Sequence, residues 1–170
     1  QSLGKVGSDV PTVTNAEYFV ECFNAIQELI RRGWIMSGHD ISAGGMITTL
    51  LEMCFANTNG GMHINLHDIC TDGDIIKTLF SENPGVIIQV SDEHKRDLMA
   101  FFEDNGIGFA KIGYPVENSR EIEIVYSSTS NLSSTDNIKL DIDHLRDVWY
   151  KTSYLLDRKQ SFNGMAAEHL

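Results

Sequence analysis

The segment 37–46 places a carboxylate, a hydroxyl and two adjacent glycines directly before an apolar run that is typical of a helix. Glycines lack the Cβ that would block a ligand from the backbone. The N-terminus of the following helix would direct unpaired N–H groups and a positive dipole end towards an anion. Asp40 supplies a hard oxygen that suits Mg²⁺, and Ser42 supplies a hydroxyl for a nucleotide or for a helix cap. With Gly44 and Gly45, these residues suit a metal–phosphate site, but the spacing alone is more often that of a capped turn.

The composition is that of a folded protein that does not bind nucleic acid. Hydrophobic residues make up 42% of the 170 residues and charged residues 22%, both ordinary values for a globular domain. Thirteen basic residues stand against 24 acidic ones, which gives a formal net charge of −11. A nucleic-acid surface needs clustered Lys and Arg, whereas ATP arrives partly neutralised by Mg²⁺. No apolar run approaches the ~18 residues of a membrane span, so we expect no membrane partner.

The cysteines favour a reducing, cytoplasmic compartment. Cys22, Cys54 and Cys70 are odd in number and widely spaced, and two of them fall in apolar helical patterns. Buried free thiols are the expected state, since disulfides belong to oxidising compartments. Because the sequence opens on Gln1 rather than Met, we also expect it to be part of a longer protein.

The hydrophobic periodicity predicts an α/β (α+β) fold with a layered, mixed four-stranded sheet and helices. Residues 1–13 are expected to be an extended lead-in, 14–160 a single domain and 161–170 a tail, with a loop at 38–45 carrying the site. The predicted helices lie at about 14–32, 43–57, 72–80, 91–104 and 141–160. The predicted strands are 34–36, 62–66, 86–90, 107–113 and 121–126, with a hairpin loop or flexible connection at 127–137.

Two helices have clear candidates for inward-facing positions. These are Leu98, Phe101 and Phe102 in the fourth helix, and Leu145, Val148, Trp149, Tyr154 and Leu155 in the last. Such residues at helical spacing indicate a core or an interface. A base-stacking platform would need basic companions, so a core or an interface is the preferred interpretation.

Three histidines have both a functional and a structural interpretation. His39 could orient the loop or contact a substrate phosphate, or it could be a hydrogen-bonded structural residue. His63 and His67 are four apart, a spacing that suits zinc only on a helix, and here they flank a predicted strand. A zinc site at this pair is therefore not expected.

The remaining acidic candidates are also open to two interpretations. Asp68, Asp72 and Asp74 suggest a calcium loop but lack its alternating acidic spacing and terminal Glu, so a turn with a helix cap is favoured. Glu52, inside the second helix, is either a paired buried carboxylate or an exposed one.

Three motifs in order resemble the phosphoribosylformylglycinamidine synthase family in its large, single-chain form. Residues 38–46 follow His-Asp-x-Ser-x-Gly-Gly, residues 51–56 follow the family's Glu-Met-x-Phe-Ala block, and residues 80–90 follow Phe-x-Glu-x-x-Gly before a Gln-Val strand. The ending, 145–160, is similar to the helix that leads towards the family's glutaminase domain. Ala43 departs from the pattern, because many relatives carry an acidic residue there, and this argues against a metal role for position 43.

The resemblance implies the fold of the C-terminal domain of aminoimidazole ribonucleotide synthase-like proteins, which is partly related to the ferredoxin-like topology. It also implies that Asp40 is a Mg²⁺ ligand and that Ser42 contacts ATP, with Gly44 and Gly45 beside the nucleotide. No residue of this chain is expected to be catalytic in itself.

The family's reaction uses ATP to activate the amide oxygen of formylglycinamide ribonucleotide, and ammonia from glutamine then displaces that oxygen. The products are the amidine, ADP and phosphate. The resemblance implies partners within the same polypeptide, an ATP-binding N-terminal synthase-like domain and a glutaminase domain. Without them we expect the chain to be inert and to self-associate through exposed apolar surface.

Two alternative functions remain open at the level of sequence. One is another enzyme of the same superfamily, such as an aminoimidazole ribonucleotide synthase, a selenophosphate synthetase or a thiamine-phosphate kinase-like protein. The other is a docking domain without catalysis, in which the segment 37–46 is only a capped turn.

Overall fold

The computed structural model describes residues 12–127 and 135–161. Helices and strands alternate along the chain, and the mixed α/β class with a four-stranded mixed sheet confirms the expected fold class. The helices are α1 (Ala16–Arg31), α2 (Gly45–Phe55), α3 (Ile75–Phe80), α4 (Asp92–Asp104) and α5 (Ile142–Gln160). The strands are β1 (Ile35–Ile41), β2 (Gly61–Asn65), β3 (Gly85–Val90), β4 (Gly113–Val116), β5 (Glu121–Ser127) and β6 (Thr135–Asp141).

The described residues divide into two compact units. Unit 1 comprises residues 12–53 and 68–111, and unit 2 comprises residues 54–67, 112–127 and 135–161. The expectation that 14–160 forms one domain stays a prediction. The predicted lead-in and tail fall almost wholly outside the described residues.

Unit 1 combines a two-stranded sheet with helices. Strands β1 and β3 pair antiparallel, with Asp40 opposite Val86 and Ile41 opposite Gly85. The core is formed by apolar residues from α1, α4 and the segment after α4, namely Ala25, Leu29, Leu98, Phe102 and Ile107. Half-buried residues of β1 and β3 pack against this cluster, so burial on one side fixes the ribbon to the helices.

Side-chain caps set several helix starts. Asn15 accepts a hydrogen bond from the amide of Tyr18 at 3.0 Å, and Asp74 accepts one from the amide of Lys77 at 2.9 Å. Each cap satisfies an amide that has no partner inside the helix. Asp74 also decides between the alternatives for the acidic segment, because the helix-cap interpretation is the one observed.

Unit 2 contains the four-stranded sheet, with strand order β4-β2-β5-β6. β2 and β5 are parallel, and the other neighbouring pairs are antiparallel. One face is apolar and fully buried at Ile64, Ile122 and Ile124. The register aligns a polar row across the other face, Tyr114, His63, Glu123 and Lys139. This alternation is that of a sheet buried on one side.

Three strand predictions were wrong. β1 does not stop at Met36 but continues to Ile41, because its outer half pairs with β3. The strand expected at 107–113 is β4 at Gly113–Val116, an edge strand in which Pro115 is tolerated. β6 begins at Thr135, inside the segment expected to be a loop, and residues 128–134 of that segment lie outside the described residues.

The last helix also differs from its predicted inner face. Val148, Trp149 and Leu155 are exposed rather than inward-facing, whereas Ile142 is fully buried. The other two predicted inner positions, Leu145 and Tyr154, are half-buried. The predicted stripe therefore lies only partly on the buried side of α5, a distinction that sequence periodicity alone cannot make. Within residues 12–127 and 135–161, no helix is both long and apolar enough to cross a bilayer.

Candidate functional site

The end of β1 carries the predicted metal ligand in a strand rather than in a loop. Alternation along β1 leaves His39 and Ile41 half-buried and directs Asp40 outwards. The Asp40 side chain is 73% exposed, so both carboxylate oxygens are accessible to solvent or to a ligand. The expectation of a loop from residue 38 was therefore wrong, but the exposure expected of a ligand residue is present.

The backbone of Asp40 is fixed although its carboxylate is not. Its carbonyl oxygen accepts a hydrogen bond from Oγ1 of Thr49 at 3.0 Å and lies 2.8 Å from Nδ1 of His39. Thr49 is only 1% exposed and is the buried polar side chain of this region. A buried hydroxyl needs a hydrogen-bond partner. The bond from Thr49 to the Asp40 carbonyl therefore connects the first turns of α2 to the end of β1.

His39 bridges the same carbonyl to a carboxylate on α2. Its Nε2 lies 3.1 Å from Oε2 of Glu52, and the two side chains are 30% and 25% exposed. Both ring nitrogens thus face oxygen atoms. A neutral ring can donate to only one acceptor and the imidazolium form to both. Of the alternatives for these residues, the hydrogen-bonded histidine and the paired, half-buried carboxylate are observed.

A tight turn joins β1 to α2. The amide of Gly45 donates to the carbonyl of Ser42 at 3.0 Å, and the amide of Gly44 donates to Oε1 of Glu82 at 2.8 Å. Ser42 is exposed in this turn. The amides of both glycines therefore have partners within the chain, and one of those partners is a carboxylate, an internal counterpart of the anion that a helix N-terminus favours.

Gly45 is required by both conformation and space. Its φ of +75° is strained for other residues, and a Cβ would lie 2.7 Å from the carbonyl oxygen of Leu79 and the carbonyl carbon of Phe80. Gly44, at φ +88°, would place a Cβ against the side chain of Thr48. The glycine pair is thus explained by close backbone packing, and its contact with a nucleotide stays a prediction.

The structure brings some predicted residues together and adds others that the sequence did not single out. Asp40 and Ser42 flank Ile41 at the β1–α2 connection, and both are exposed. Thr49 and Glu82 were not predicted. The signal for Thr49 is its spacing of three from Glu52 on α2, which places both side chains on one helical face.

The other candidate residues have structural partners. His63 lies 3.3 Å from Glu123, and Nδ1 of His67 lies 2.6 Å from the hydroxyl of Ser127. Asp72 pairs with Lys77 at 2.9 Å. In the described part of the chain, no group of three His, Cys, Asp or Glu residues could hold a metal ion.

All three cysteines are free thiols. Burial raises the pKa of the Cys54 thiol, and the charge of Arg120 opposes this only in part. A raised pKa lowers the thiolate fraction and therefore the reactivity. Cys54 thus behaves as a buried structural residue.

The donor set fits Mg²⁺ as one ligand and not as a complete shell. Asp40 offers a hard, exposed carboxylate, and proteins commonly bind Mg²⁺ through one or two carboxylates together with phosphates and water. Two other carboxylates of this region are engaged, Glu52 by His39 and Glu82 by the Gly44 amide. Any further ligands would have to come from the nucleotide, from water or from protein beyond this region.

The sequence profile of the AIR synthase related protein, C-terminal domain, matches residues 3–126. The chain belongs to this family. The match includes β1, the turn, α2 and Glu82, so the whole candidate site lies within the family domain.

Two relatives in the family carry the same enzyme name. An Arabidopsis thaliana protein named Probable phosphoribosylformylglycinamidine synthase, chloroplastic/mitochondrial, is 33% identical over 161 residues, which are 94% of this chain and 11% of that protein. The Homo sapiens phosphoribosylformylglycinamidine synthase is 28% identical over 168 residues, 99% of this chain and 12% of that protein. The chain thus spans about one ninth of the length of these relatives. The match to two proteins of this name confirms the predicted resemblance.

A solved structure has the same fold. The structure described as T. maritima PurL complexed with ATP matches with a TM-score of 0.59 at 14% identity, over 74% of this chain and 21% of that chain. At this identity the likeness establishes the AIR synthase-like fold and not a shared ligand.

Proposed function

We propose that this domain contributes Asp40 and Ser42 to a magnesium–nucleotide site of a phosphoribosylformylglycinamidine synthase. Such an enzyme converts formylglycinamide ribonucleotide, ATP and glutamine into the amidine, ADP, phosphate and glutamate. The observation that carries the proposal is an exposed Asp40 carboxylate on a fixed backbone, beside an exposed Ser42. The family membership and the names of the relatives support the enzyme class, an ATP-dependent amidoligase of the glutamine amidotransferase type.

Each residue has a defined part in this proposal. Bound Mg²⁺ neutralises phosphate charge on the nucleotide. Asp40 supplies one hard oxygen ligand, and the Ser42 hydroxyl donates to or accepts from the nucleotide. Thr49 fixes the Asp40 carbonyl and so restricts the directions in which the carboxylate can point. Gly44 and Gly45 let the connection pack closely against α2 and α3, and we propose that they lie beside the nucleotide.

The rest of the activity requires protein that is not among the described residues. One carboxylate cannot complete a Mg²⁺ shell around a triphosphate, so a further ATP-binding domain and a glutaminase domain are proposed as partners. We therefore propose that residues 1–170 alone are inert. Three free cysteines support a reducing compartment such as the cytoplasm, although the Arabidopsis relative is named for organelles.

The substitution Asp40→Asn in the intact enzyme tests the proposal. It keeps the size of the side chain and removes the charge that binds Mg²⁺. We expect Mg²⁺-dependent ATP binding or turnover to fall about tenfold or more, equivalent to about 1.4 kcal/mol. The measurement is ATP binding and steady-state turnover over a series of Mg²⁺ concentrations. Wild-type behaviour across that series would reject the metal assignment, and unfolding of the domain would favour the capped-turn alternative.

Residues 1–170 also allow a direct test of inertness. We expect no glutamine- or ammonia-dependent ATP hydrolysis with formylglycinamide ribonucleotide. Turnover by these 170 residues would contradict the proposal that the partner domains supply the remaining machinery.

A docking role is a second candidate, favoured by α5. Val148, Trp149, Leu155 and Leu156 are large, apolar and exposed on this helix. Exposed apolar surface of this kind is typical of contact surfaces. Sedimentation over a wide range of concentrations tests whether it leads to the self-association that the sequence predicts, and a monomer at all concentrations would contradict that expectation.

A further inference from the structure

We propose that His39 and Glu52 are positioning residues, which fix the backbone at Asp40 so that its carboxylate keeps one direction towards a magnesium–nucleotide ligand. The inference deepens the proposed function and rests on it. Neither residue is proposed to contact the metal or the nucleotide.

The contacts form a continuous chain from α2 to Asp40. Glu52 lies 3.1 Å from Nε2 of His39, and Nδ1 of the same ring lies 2.8 Å from the Asp40 carbonyl oxygen. The Thr49 hydroxyl reaches that carbonyl from the same helix at 3.0 Å. Two side chains three residues apart on α2 thus restrain one peptide group. Thr49 contacts it directly, and Glu52 acts on it through His39.

The β1 backbone needs this support because its ladder is minimal. Within the described residues, β1 pairs with β3 alone, and the register ends at Ile41 opposite Gly85. An isolated two-stranded pair is marginally stable. Since Asp40 is one residue from the end of the ladder, side-chain contacts must supply the restraint that further strands would otherwise give.

A second pair in unit 2 has the same chemistry and a different setting. His63 and Glu123 lie 3.3 Å apart, but they are directly opposite residues on the neighbouring strands β2 and β5 of a four-stranded sheet. Their backbones are already fixed by the ladder. This pair is the natural control, because its loss removes the same kind of contact without releasing a strand end.

The experiment compares three substitutions in the intact protein. Glu52→Ala removes the contact with His39, and Glu52→Gln keeps a hydrogen-bonding partner for Nε2, since its amide can donate as well as accept. Glu123→Ala removes the control contact. ATP binding is measured by calorimetry over a series of Mg²⁺ concentrations. Urea unfolding and amide hydrogen exchange of the ligand-free protein are measured in parallel.

A positioning role predicts a selective effect on Mg²⁺ dependence. Glu52→Ala should raise the Mg²⁺ concentration for half-maximal ATP binding about tenfold, as is usual for residues that orient a ligand. It should leave ATP binding without Mg²⁺ unchanged and speed amide exchange at the end of β1. Glu52→Gln and Glu123→Ala should stay within about twofold of wild type. A merely structural role would move the urea midpoint and not the Mg²⁺ dependence.

Two results would overturn the inference while leaving the proposed function intact. One is a folded Glu52→Ala protein with wild-type Mg²⁺ dependence where Asp40→Asn shows the expected loss. The other is a Glu123→Ala effect as large as that of Glu52→Ala. If Glu52→Ala does not fold, His39→Asn replaces it, because it keeps a donor near the Asp40 carbonyl and loses the Glu52 contact. If Asp40→Asn itself has no effect, the proposed function fails and the inference fails with it.

Discussion

Each unit contains a strand that ends at or beside an aspartate just before a helix, and the two aspartates are used differently. In unit 2, Asp141 ends β6 and its carboxylate accepts the amide of His144 at 2.8 Å, which caps α5. In unit 1, Asp40 lies one residue from the end of β1, and its carboxylate lies 3.5 Å from Nδ1 of His39 and remains 73% exposed.

The comparison separates a structural aspartate from a functional candidate. The Asp141 carboxylate caps the N-terminus of α5, and this hydrogen bond accounts for its role. At Asp40 the backbone carbonyl and neighbouring side chains provide the structural contacts, and the carboxylate takes little part in them. A fixed backbone that presents a largely exposed, hard oxygen ligand is what a metal–nucleotide site requires.

The largest expected effect concerns the turn that fixes the unit 1 connection. Gly45→Ala should lower the free energy of unfolding by about 3 kcal/mol or more, because it adds backbone strain and an overlap with the backbone of residues 79 and 80. Urea unfolding measures the change. If the turn tolerates alanine, the connection is not the rigid element that the comparison assumes.

Gly33→Ala is the matched control for this substitution. Gly33 has a similar φ of +69°, but a Cβ there would meet nothing within 4 Å. It should cost only the strain, about 1 kcal/mol. Equal losses at the two glycines would show that the packing of Gly45 against α3 contributes nothing.

A smaller effect tests the two aspartates directly. Asp141→Ala should lower the free energy of unfolding by about 1 kcal/mol through loss of the helix cap, whereas Asp40→Ala should change it by less than about 0.5 kcal/mol. Both are measured by urea unfolding without ligand. A loss at Asp40 as large as that at Asp141 would remove the distinction and favour the capped-turn interpretation.

The sequence predicts most elements because their signals are local. The caps at Asn15, Asp74 and Asp141 and the strand at Gly85–Val90 follow from side-chain type and periodicity. The extension of β1 to Ile41 does not, because its outer half is a strand only through pairing with β3, more than 40 residues later in the chain.

The site was predictable only in part, for the same reason. Asp40 and Ser42 stand out by residue type and spacing, and their roles stay predictions. The partners that fix the region were hidden: Thr49 shows its role only when α2 is placed against β1, and Glu82 reaches the Gly44 amide from 38 residues away. Helical spacing shows that Thr49 and Glu52 share one face of α2, but one sequence does not show which strand that face contacts.

The smallest expected effect is the pH dependence of stability that arises from the Asp143 carboxylate in unit 2. Asp143 lies 2.8 Å from Nη2 of Arg120, and the hydrogen bond from that guanidinium lowers the pKa of the carboxyl group, with the charges of Arg120 and Arg146 acting in the same direction. A group with a lowered pKa stabilises the fold above its unfolded pKa, about 4 for Asp. That stabilisation is lost as the pH falls from about 4 through the folded pKa.

Asp143→Asn should therefore reduce stability near neutral pH and make the decline below about pH 4 less steep than in wild type. Urea midpoints measured from pH 7 down to about pH 3 give both quantities. Asp147→Asn removes a charge from the same helix at a side chain that is 77% exposed, and it controls for the change in net charge. The Asp143 effect should remain small, because its side chain is nearly half exposed and surface pairs are screened by solvent. If Asp143→Asn and Asp147→Asn gave the same pH profile, the ion pair with Arg120 would not stabilise the fold. The Asp143 carboxylate would then contribute as little to stability as we expect of the Asp40 carboxylate.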